Sequence, residues 1–320
     1  MTDHYRYPFA PFPDGWYLVR TSAEVPAGCV VPLRYFGRDL VAYRIESGQV
    51  AVAAAHCPHM GAHLGYGGTI DGDGIRCPFH AWRFDGSGRC DHVPYSTAGR
   101  APNVHLDTLQ VCETSGLIFV WFSAAGSAPT WSPTARPEFG QPGWIGYESI
   151  SWTIRAHVQE VAENVPDMPH FGTVHGVPGE LRAEVETDGH IYRQRSIAVI
   201  DGNPWEFTRQ EAQGLGLIWL VSGGDEPYWF LTATTPVDEQ HIELRLLYLV
   251  QQDGTELTPA NRARLDSTSE NVARDVPIWE HKAYVERAPL IPDDGPIRTI
   301  RQWAKQFYPA VQESGSRSGP

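Results

Sequence analysis

Among its 320 residues, 42% of them hydrophobic, the chain has no run approaching the ~18 apolar residues of a membrane span. Its N-terminus, MTDHYRYPFAPFPDG, lacks the basic, apolar and small-residue pattern of a secretory signal. Positive charge is scarce: 25 Lys and Arg stand against 38 Asp and Glu, a net charge of -13. That balance argues against nucleic acid and against an anionic membrane surface as partners. Cysteine is scarce too, and the five present are an odd, scattered set, which argues against a disulfide framework. Cys29, Cys90 and Cys112 read as small core residues, and free thiols point to a reducing, cytoplasmic setting. The length suggests about two domains.

The other two cysteines sit in the most informative stretch, His56 to Cys90, HCPHMGAHLGYGGTIDGDGIRCPFHAWRFDGSGRC. Cys57-Pro58-His59 is answered by Cys77-Pro78-Phe79-His80, so each of two short loops carries one thiol and one imidazole. One iron of a [2Fe–2S] cluster takes both thiolates and the other both imidazoles in the Rieske arrangement, which raises the potential above that of an all-cysteine cluster. Tetrahedral zinc also accepts Cys2His2, but zinc fingers place two cysteines together and then two histidines. The prolines and the glycines at Gly61, Gly65, Gly67 and Gly68 suit tight loops whose amides face bridging sulfides.

The fold class is α+β: a small antiparallel β domain, then a catalytic domain with an antiparallel sheet covered by helices. Residues 1–15 form a segment packing on the body. Short alternating runs over 16–125 are Trp16–Arg20, Cys29–Phe36, Leu40–Ile45, Val50–Ala54 and Leu117–Trp121, with a hairpin turn at Asp85-Gly86-Ser87-Gly88. Residues 126–143, rich in Pro, Gly, Ala and Ser, read as a linker. The second domain spans 144–312: strand Trp144–Ile154, helix Ala156–Val165, and strands Ser196–Ile200, Trp205–Gln210, Gly216–Val221, Tyr228–Thr235 and Ile242–Val250. A helix over Thr258–Glu286 follows, and 313–320 is a disordered tail.

A second motif runs from His157 to Gly176, HVQEVAENVPDMPHFGTVHG. Glu163, Asp167 and His170 fall at i, i+4 and i+7 and would share a helical face. His170 and His175 would diverge by roughly 140° on a regular helix at about 100° per residue. Pro166, Pro169, Gly172 and Gly176 break that helix, and a broken segment turns both imidazoles toward one point. Two histidines and a carboxylate make the facial triad of mononuclear non-heme Fe(II). Read without the upstream motif, two such histidines are more often structural than metal-binding.

Together, Cys57-x-His59…Cys77-x-x-His80 and Glu163-Asn164-x-x-Asp167-x-x-His170-x4-His175 resemble the oxygenase component of Rieske non-heme iron oxygenases, over nearly the whole chain. CPHMGAHLGYGG, CPFHAWRFDGSGRC, Asp275-Val-Pro-Ile-Trp279-Glu-His-Lys282, Arg301-Gln302-Trp303 and Gln306-Phe307-Tyr308 are similar to the 3-ketosteroid 9α-hydroxylase and sterol 7-desaturase branch. The resemblance implies Asp275 as third iron ligand, with Asp266, Glu270 and Glu280 as competitors. It implies that Asp167 bridges the two metal centres across a homotrimer interface, and that Asn164 and Glu163 orient ligands by hydrogen bonds.

It further implies electrons from NAD(P)H through a separate reductase or ferredoxin, dioxygen as co-substrate, and oxidation of a hydrophobic, steroid-like polycycle. Apolar candidates for the substrate pocket are Phe171, Val174, Leu217, Trp219, Trp229 and Phe230, although a buried aromatic is more often core. The other readings are an oxygenase acting on an alkaloid, polyketide or aromatic ether by hydroxylation, desaturation or demethylation, and a pure electron carrier. Three irons per chain separate the oxygenases from the carrier, which has two.

Overall fold

The computed structural model describes residues 5–97, 99–222 and 228–308; the tail 313–320 lies outside the described residues. In the N-terminal half, β1 (Gly15–Thr21), β2 (Val30–Tyr35), β3 (Arg38–Arg44) and β4 (Val50–Ala54) lead into the first motif loop. β5 (Thr69–Asp71) and β6 (Gly74–Arg76) lead into the second, and β7 (Arg83–Phe84) and β8 (Cys90–His92) follow it. β9 (Thr108–Leu109), β10 (Val111–Thr114) and β11 (Leu117–Phe122) return the chain to β1. Three antiparallel sheets result, ordered β1-β11-β10, β2-β3-β4-β9 and β5-β6-β7-β8. The Asp85 turn closes the β7–β8 hairpin: Asp85 Oδ1 accepts the Ser87 and Arg89 amides at 2.9 and 3.1 Å.

The C-terminal half is one seven-stranded antiparallel sheet, formed by β12 (Trp144–Ile154), β13 (Glu180–Asp188), β14 (Ile191–Ile200), β15 (Asn203–Gln213), β16 (Leu217–Ser222), β17 (Tyr228–Pro236) and β18 (Ile242–Gln251). The order is β12-β18-β17-β16-β15-β14-β13. β13 was not anticipated, although Leu181, Ala183 and Val185 alternate with charged residues along Glu-Leu-Arg-Ala-Glu-Val-Glu-Thr-Asp, the period of a half-exposed strand. It lies at the sheet's edge, where continuous pairing with β14 supplies the hydrogen bonds that burial does not.

Helices cover one face of this sheet: α1 (Val158–Ala162), α2 (Met168–Thr173), α3 (Pro259–His281) and α4 (Ile297–Ala304). The N-terminal domain covers the other, with Trp16, Leu18, Leu117 and Phe119 packed on Leu217, Trp219, Leu231 and Leu247. Both faces are therefore covered around the middle of the sheet, and Leu217–Val221 of β16 and Tyr228–Leu231 of β17 read as apolar runs rather than alternating ones. The expected helix Ala156–Val165 shortens to α1, and α4, unanticipated, buries Ile297, Ile300 and Trp303.

The late helix ends at His281, not at Glu286. Arg6 explains the stop. Its guanidinium donates to the carbonyls of Trp279, Glu280 and Lys282 at 2.9, 2.8 and 3.2 Å, consuming acceptors that a longer helix would need. Around it, Tyr7 and Phe9 pack their rings against His157 and Tyr284.

Candidate metal centres

The two Cys/His loops are built alike. The Cys57 amide donates to the Ala62 carbonyl at 2.9 Å and the Cys77 amide to the Trp82 carbonyl at 2.8 Å. Within each, the fifth residue donates back to the cysteine carbonyl, Gly61 to Cys57 at 2.8 Å and Ala81 to Cys77 at 3.1 Å. Both returning residues are left-handed, Gly61 at φ 74° and Ala81 at φ 56°. The repeated turn brings the buried thiols of Cys57 and Cys77 into contact and the rings of His59 and His80 to 4.7 Å. Gly68 supports the first loop where no side chain fits, because a Cβ there would lie 2.3 Å from the Leu64 carbonyl oxygen.

The chemistry of this donor set fits a [2Fe–2S] cluster. Burial, with the Cys77 sulfur beside it, pushes the Cys57 thiol up to about 11, so that thiol keeps its proton unless a cation draws it off. His59 Nδ1 is buried without a hydrogen-bond partner, a nitrogen left for a metal.

Some way along the chain, α1 and α2 are separated by a turn, as the prolines foretold. Asp167 caps α2, its carboxylate accepting the His170 amide at 3.4 Å. Glu163 instead caps the end of α1, so Glu163, Asp167 and His170 do not share one helical face. His175 follows the end of α2 and turns back toward His170, their rings 4.9 Å apart at 79°. Asp275, from α3, joins them: one ligand atom each from His170, His175 and Asp275 lie within 4.8 Å of one another. His175 Nε2 stands 3.4 Å from Asp275 Oδ2.

Of the competing acids, Asp266 and Glu270 line a separate cavity with Tyr248 and Arg262, and Glu280 accepts the Arg155 amide at 3.5 Å. The helix itself carries the signal that separates them. Asn261, Leu265, Asp275 and Trp279 are its buried residues and fall on one stripe, while Asp266 and Glu270 are exposed.

His170 Nδ1 lies 2.5 Å from the Asp167 carbonyl oxygen, so its proton sits there and Nε2 faces the triad. Burial lowers the His170 pKa and holds the neutral form that ligates metals, and burial raises the Asp167 pKa. Asn164 Nδ2 approaches His170 Nε2 at 3.5 Å while its oxygen accepts from Trp279 at 3.3 Å, linking α1 to α3.

Glu163 does something other than expected. Its carboxylate contacts neither histidine; Arg301 grips it with Nε at 2.9 Å and Nη2 at 2.7 Å, and Gln159 donates to it at 2.9 Å. Sequence reasoning quoted Arg301 in a motif but gave it no role; it arrives from α4, 138 positions away.

A cavity of about 100 Å³ adjoins the triad, walled by Phe171, Phe230, Ile218, Leu220, Val272 and Trp279, with Asn164, Gln210 and Thr232 as polar members. Phe171 and Phe230 were anticipated. Leu217, Trp219 and Trp229 are corrected: strand alternation points them to the opposite face. There Leu217 and Trp219 join the core under the N-terminal domain, and Trp219 and Trp229 clasp Arg136 at 4.3 and 4.5 Å beside a cavity of about 740 Å³. Val174 is not in the triad's cavity wall; it ends α2, and its carbonyl accepts from Arg274 at 3.5 Å.

Comparison with known proteins agrees with this anatomy. Residues 15–111 match the Rieske [2Fe–2S] domain, and residues 120–308 match the 3-ketosteroid 9α-hydroxylase C-terminal domain. The oxygenase component of a 3-ketosteroid-9-alpha-monooxygenase from Rhodococcus rhodochrous is 33% identical, over 94% of this chain and 85% of its own. Cholesterol 7-desaturase from Bombyx mori is 31% identical, over 93% and 70%. Among solved structures, NdmA of Pseudomonas putida CBB5 shares the fold at TM-score 0.71 and 18% identity, over 91% of this chain and 88% of that one. Dicamba monooxygenase does so at TM-score 0.70 and 17% identity, over 92% and 96%. Among the described residues no helix is long and apolar enough to cross a membrane. The chain belongs to the Rieske non-heme iron oxygenases, in the 3-ketosteroid 9α-hydroxylase family, as an oxidoreductase with a [2Fe–2S] cluster and a mononuclear iron that works on dioxygen with electrons from a reductase.

Proposed function

We propose that this chain is the terminal oxygenase for a neutral, steroid-like polycycle, with Cys57, His59, Cys77 and His80 holding the cluster and His170, His175 and Asp275 holding Fe(II). The observation that carries the reading is the meeting of three ligand atoms from α2, its exit and α3 in a chain that also bears the paired Cys/His loops. When bound, the metal groups supply single-electron transfer and dioxygen activation. The Rieske domain would span 16–125, the linker 126–143 and the catalytic domain 144–312.

The protein's own share is positioning and exclusion. The Asp167 carbonyl fixes the His170 tautomer, and Asn164 ties α1 to Trp279 four residues beyond Asp275. Apolar walls keep water from the reacting carbon, while Gln210 and Thr232 offer hydrogen bonds to an oxygen on the substrate. The cavity of about 100 Å³ is below the ~300 Å³ at which ligand pockets usually begin, so a polycycle must displace its side-chain walls, Phe171 and Phe230 foremost.

Electron entry to the iron would come from a second copy in a homotrimer. Supporting this, Met60, Tyr66, Phe79 and Tyr95 stand exposed around the cluster loops, an apolar collar that a monomer would leave in water. Asp167, half-buried beside His170, would receive it. The donor to the cluster would be a reductase or ferredoxin, in the cytoplasm.

Anaerobic binding of 3-keto steroids, sterols and non-steroid polycycles to iron-loaded protein, followed by oxygen uptake with a surrogate reductase, tests the substrate. Coupled oxidation of a steroid supports the reading; turnover of a non-steroid alone discards the steroid and keeps the oxygenase. Light scattering at the mass of a trimer, lost in Phe79→Asp, tests the assembly, and a monomeric wild type removes it.

A further inference from the structure

The two cluster loops repeat each other in backbone but not in side chain, and the difference falls on one histidine. Ala62 and Trp82 occupy equivalent places, each accepting the amide of its loop's cysteine. Ala62 has nothing to reach with. Trp82 lays its indole flat on the His59 imidazole of the other loop, ring centres 4.2 Å apart and planes 8° from parallel.

The indole is itself fixed. Its Nε1 donates to the Tyr95 hydroxyl at 2.7 Å, and Tyr95 sits on the segment after β8. Among the described residues, the ring partners of His80 are different: it meets His59 at 69°, Phe79 at 37° and Tyr95 at 70°, with no parallel cover.

From this asymmetry we propose that Trp82 is a positioning residue for the cluster: a cross-loop staple that holds the His59 ring in its ligating orientation, with Tyr95 as the lock. The inference rests on the reading of His59 as a cluster ligand. His59 Nδ1, buried and without a protein partner, is the atom the ring presents. A histidine ring has a broad, soft torsion about its outer bond, so a parallel indole on its face restricts the swing that would take Nδ1 off the iron. Because the same residue's carbonyl closes the second loop on Cys77, movement of one loop is carried to the other.

The test uses full-length protein carrying its cluster, with three readouts that do not depend on turnover. These are the rate of cluster loss to an iron chelator under argon, the reduction potential by anaerobic titration, and the histidine nitrogen couplings of the reduced cluster by pulsed electron paramagnetic resonance. Trp82→Ala should lose its cluster at least tenfold faster than wild type, with one of the two histidine couplings altered. Trp82→Phe keeps a ring over His59 but drops the Tyr95 bond, and Tyr95→Phe drops the same bond from the other side. Each should raise the loss rate about threefold, and the double variant should be no worse than either single one, because one bond is shared.

Trp205→Ala, an exposed aromatic on β15, should leave both histidine couplings and the loss rate unchanged. Wild-type couplings, potential and loss rate in Trp82→Ala would overturn the staple. If Trp82→Ala assembles no cluster, the phenylalanine variants decide: additive effects overturn the lock, and a shared effect supports it. A wild-type protein showing only one histidine coupling would instead refute His59 or His80 as ligand, a failure of the ligand assignment rather than of the staple.

Discussion

Arg301→Ala isolates the contact that replaced the expected role of Glu163. The Glu163 carboxylate is 6% exposed, and its Oε2 accepts two hydrogen bonds from Arg301, from Nε at 2.9 Å and Nη2 at 2.7 Å. Removing the guanidinium leaves a buried carboxylate with only Gln159 at 2.9 Å and Tyr284 at 3.4 Å. Breaking a buried pair from one side costs about 3–5 kcal/mol. At about 2–4 °C per kcal/mol for a domain of this size, the apparent unfolding midpoint should fall by about 6–20 °C in calorimetry. Adding Glu163→Gln removes the stranded charge while keeping an acceptor for Gln159, so the double variant should recover about 2–3 kcal/mol, leaving a cost nearer that of lost neutral hydrogen bonds. A loss below about 1 kcal/mol in Arg301→Ala, or a double variant no better than the single, would refute this account of Glu163.

Three further outcomes follow from particular contacts. Gly68→Ala should cut the acid-labile sulfide content of purified protein by more than half, since its Cβ would meet the Leu64 carbonyl at 2.3 Å; normal sulfide would show that the loop can relax. His157 is held neutral, its pKa pushed down to about 3 by burial among Tyr7, Phe9 and Tyr308, with Nδ1 accepting from Gln159 at 3.1 Å. The unfolded chain then binds the extra proton as pH falls below about 6.5, so stability drops by about 1.4 kcal/mol per pH unit from there toward pH 3. His157→Gln should remove one proton from that slope in urea titrations between pH 6 and 4, and an unchanged slope would place the proton elsewhere. Ile218→Trp should fill the cavity beside the triad and abolish substrate binding with three irons retained, whereas intact binding would move the substrate out of that cavity.

The cluster loops were legible because all four proposed ligands lie within Cys57–His80 and the spacing is itself the chemistry. His170 and His175 were legible as a pair, since the prolines and glycines that break the helix are what turn them together. Asp275 was not, except by resemblance; the stripe of Asn261, Leu265 and Trp279 would have singled it out, had burial been counted along the helix. The pocket aromatics failed for a different reason. With both faces of the sheet buried, Trp219 and Ile218 are equally apolar, and the parity that assigns one to the iron is set by tertiary packing. Arg6 and Arg301 lie far in sequence from the carbonyls and carboxylate they hold, and nothing local announces them. β13 was legible in principle, since Leu181, Ala183 and Val185 alternate with charged residues, and its pairing with β14 completes what that period announces.

The most direct test of two metal centres in one chain is iron and sulfide analysis of wild-type protein and Asp275→Ala, with the electron paramagnetic resonance spectrum of each reduced cluster. Three irons and two sulfides per chain are expected in the wild type. Two irons, two sulfides and an unchanged cluster spectrum are expected in the variant. Two irons in both would make the chain an electron carrier with an empty-handed triad, and three irons in Asp275→Ala would take the third ligand away from Asp275.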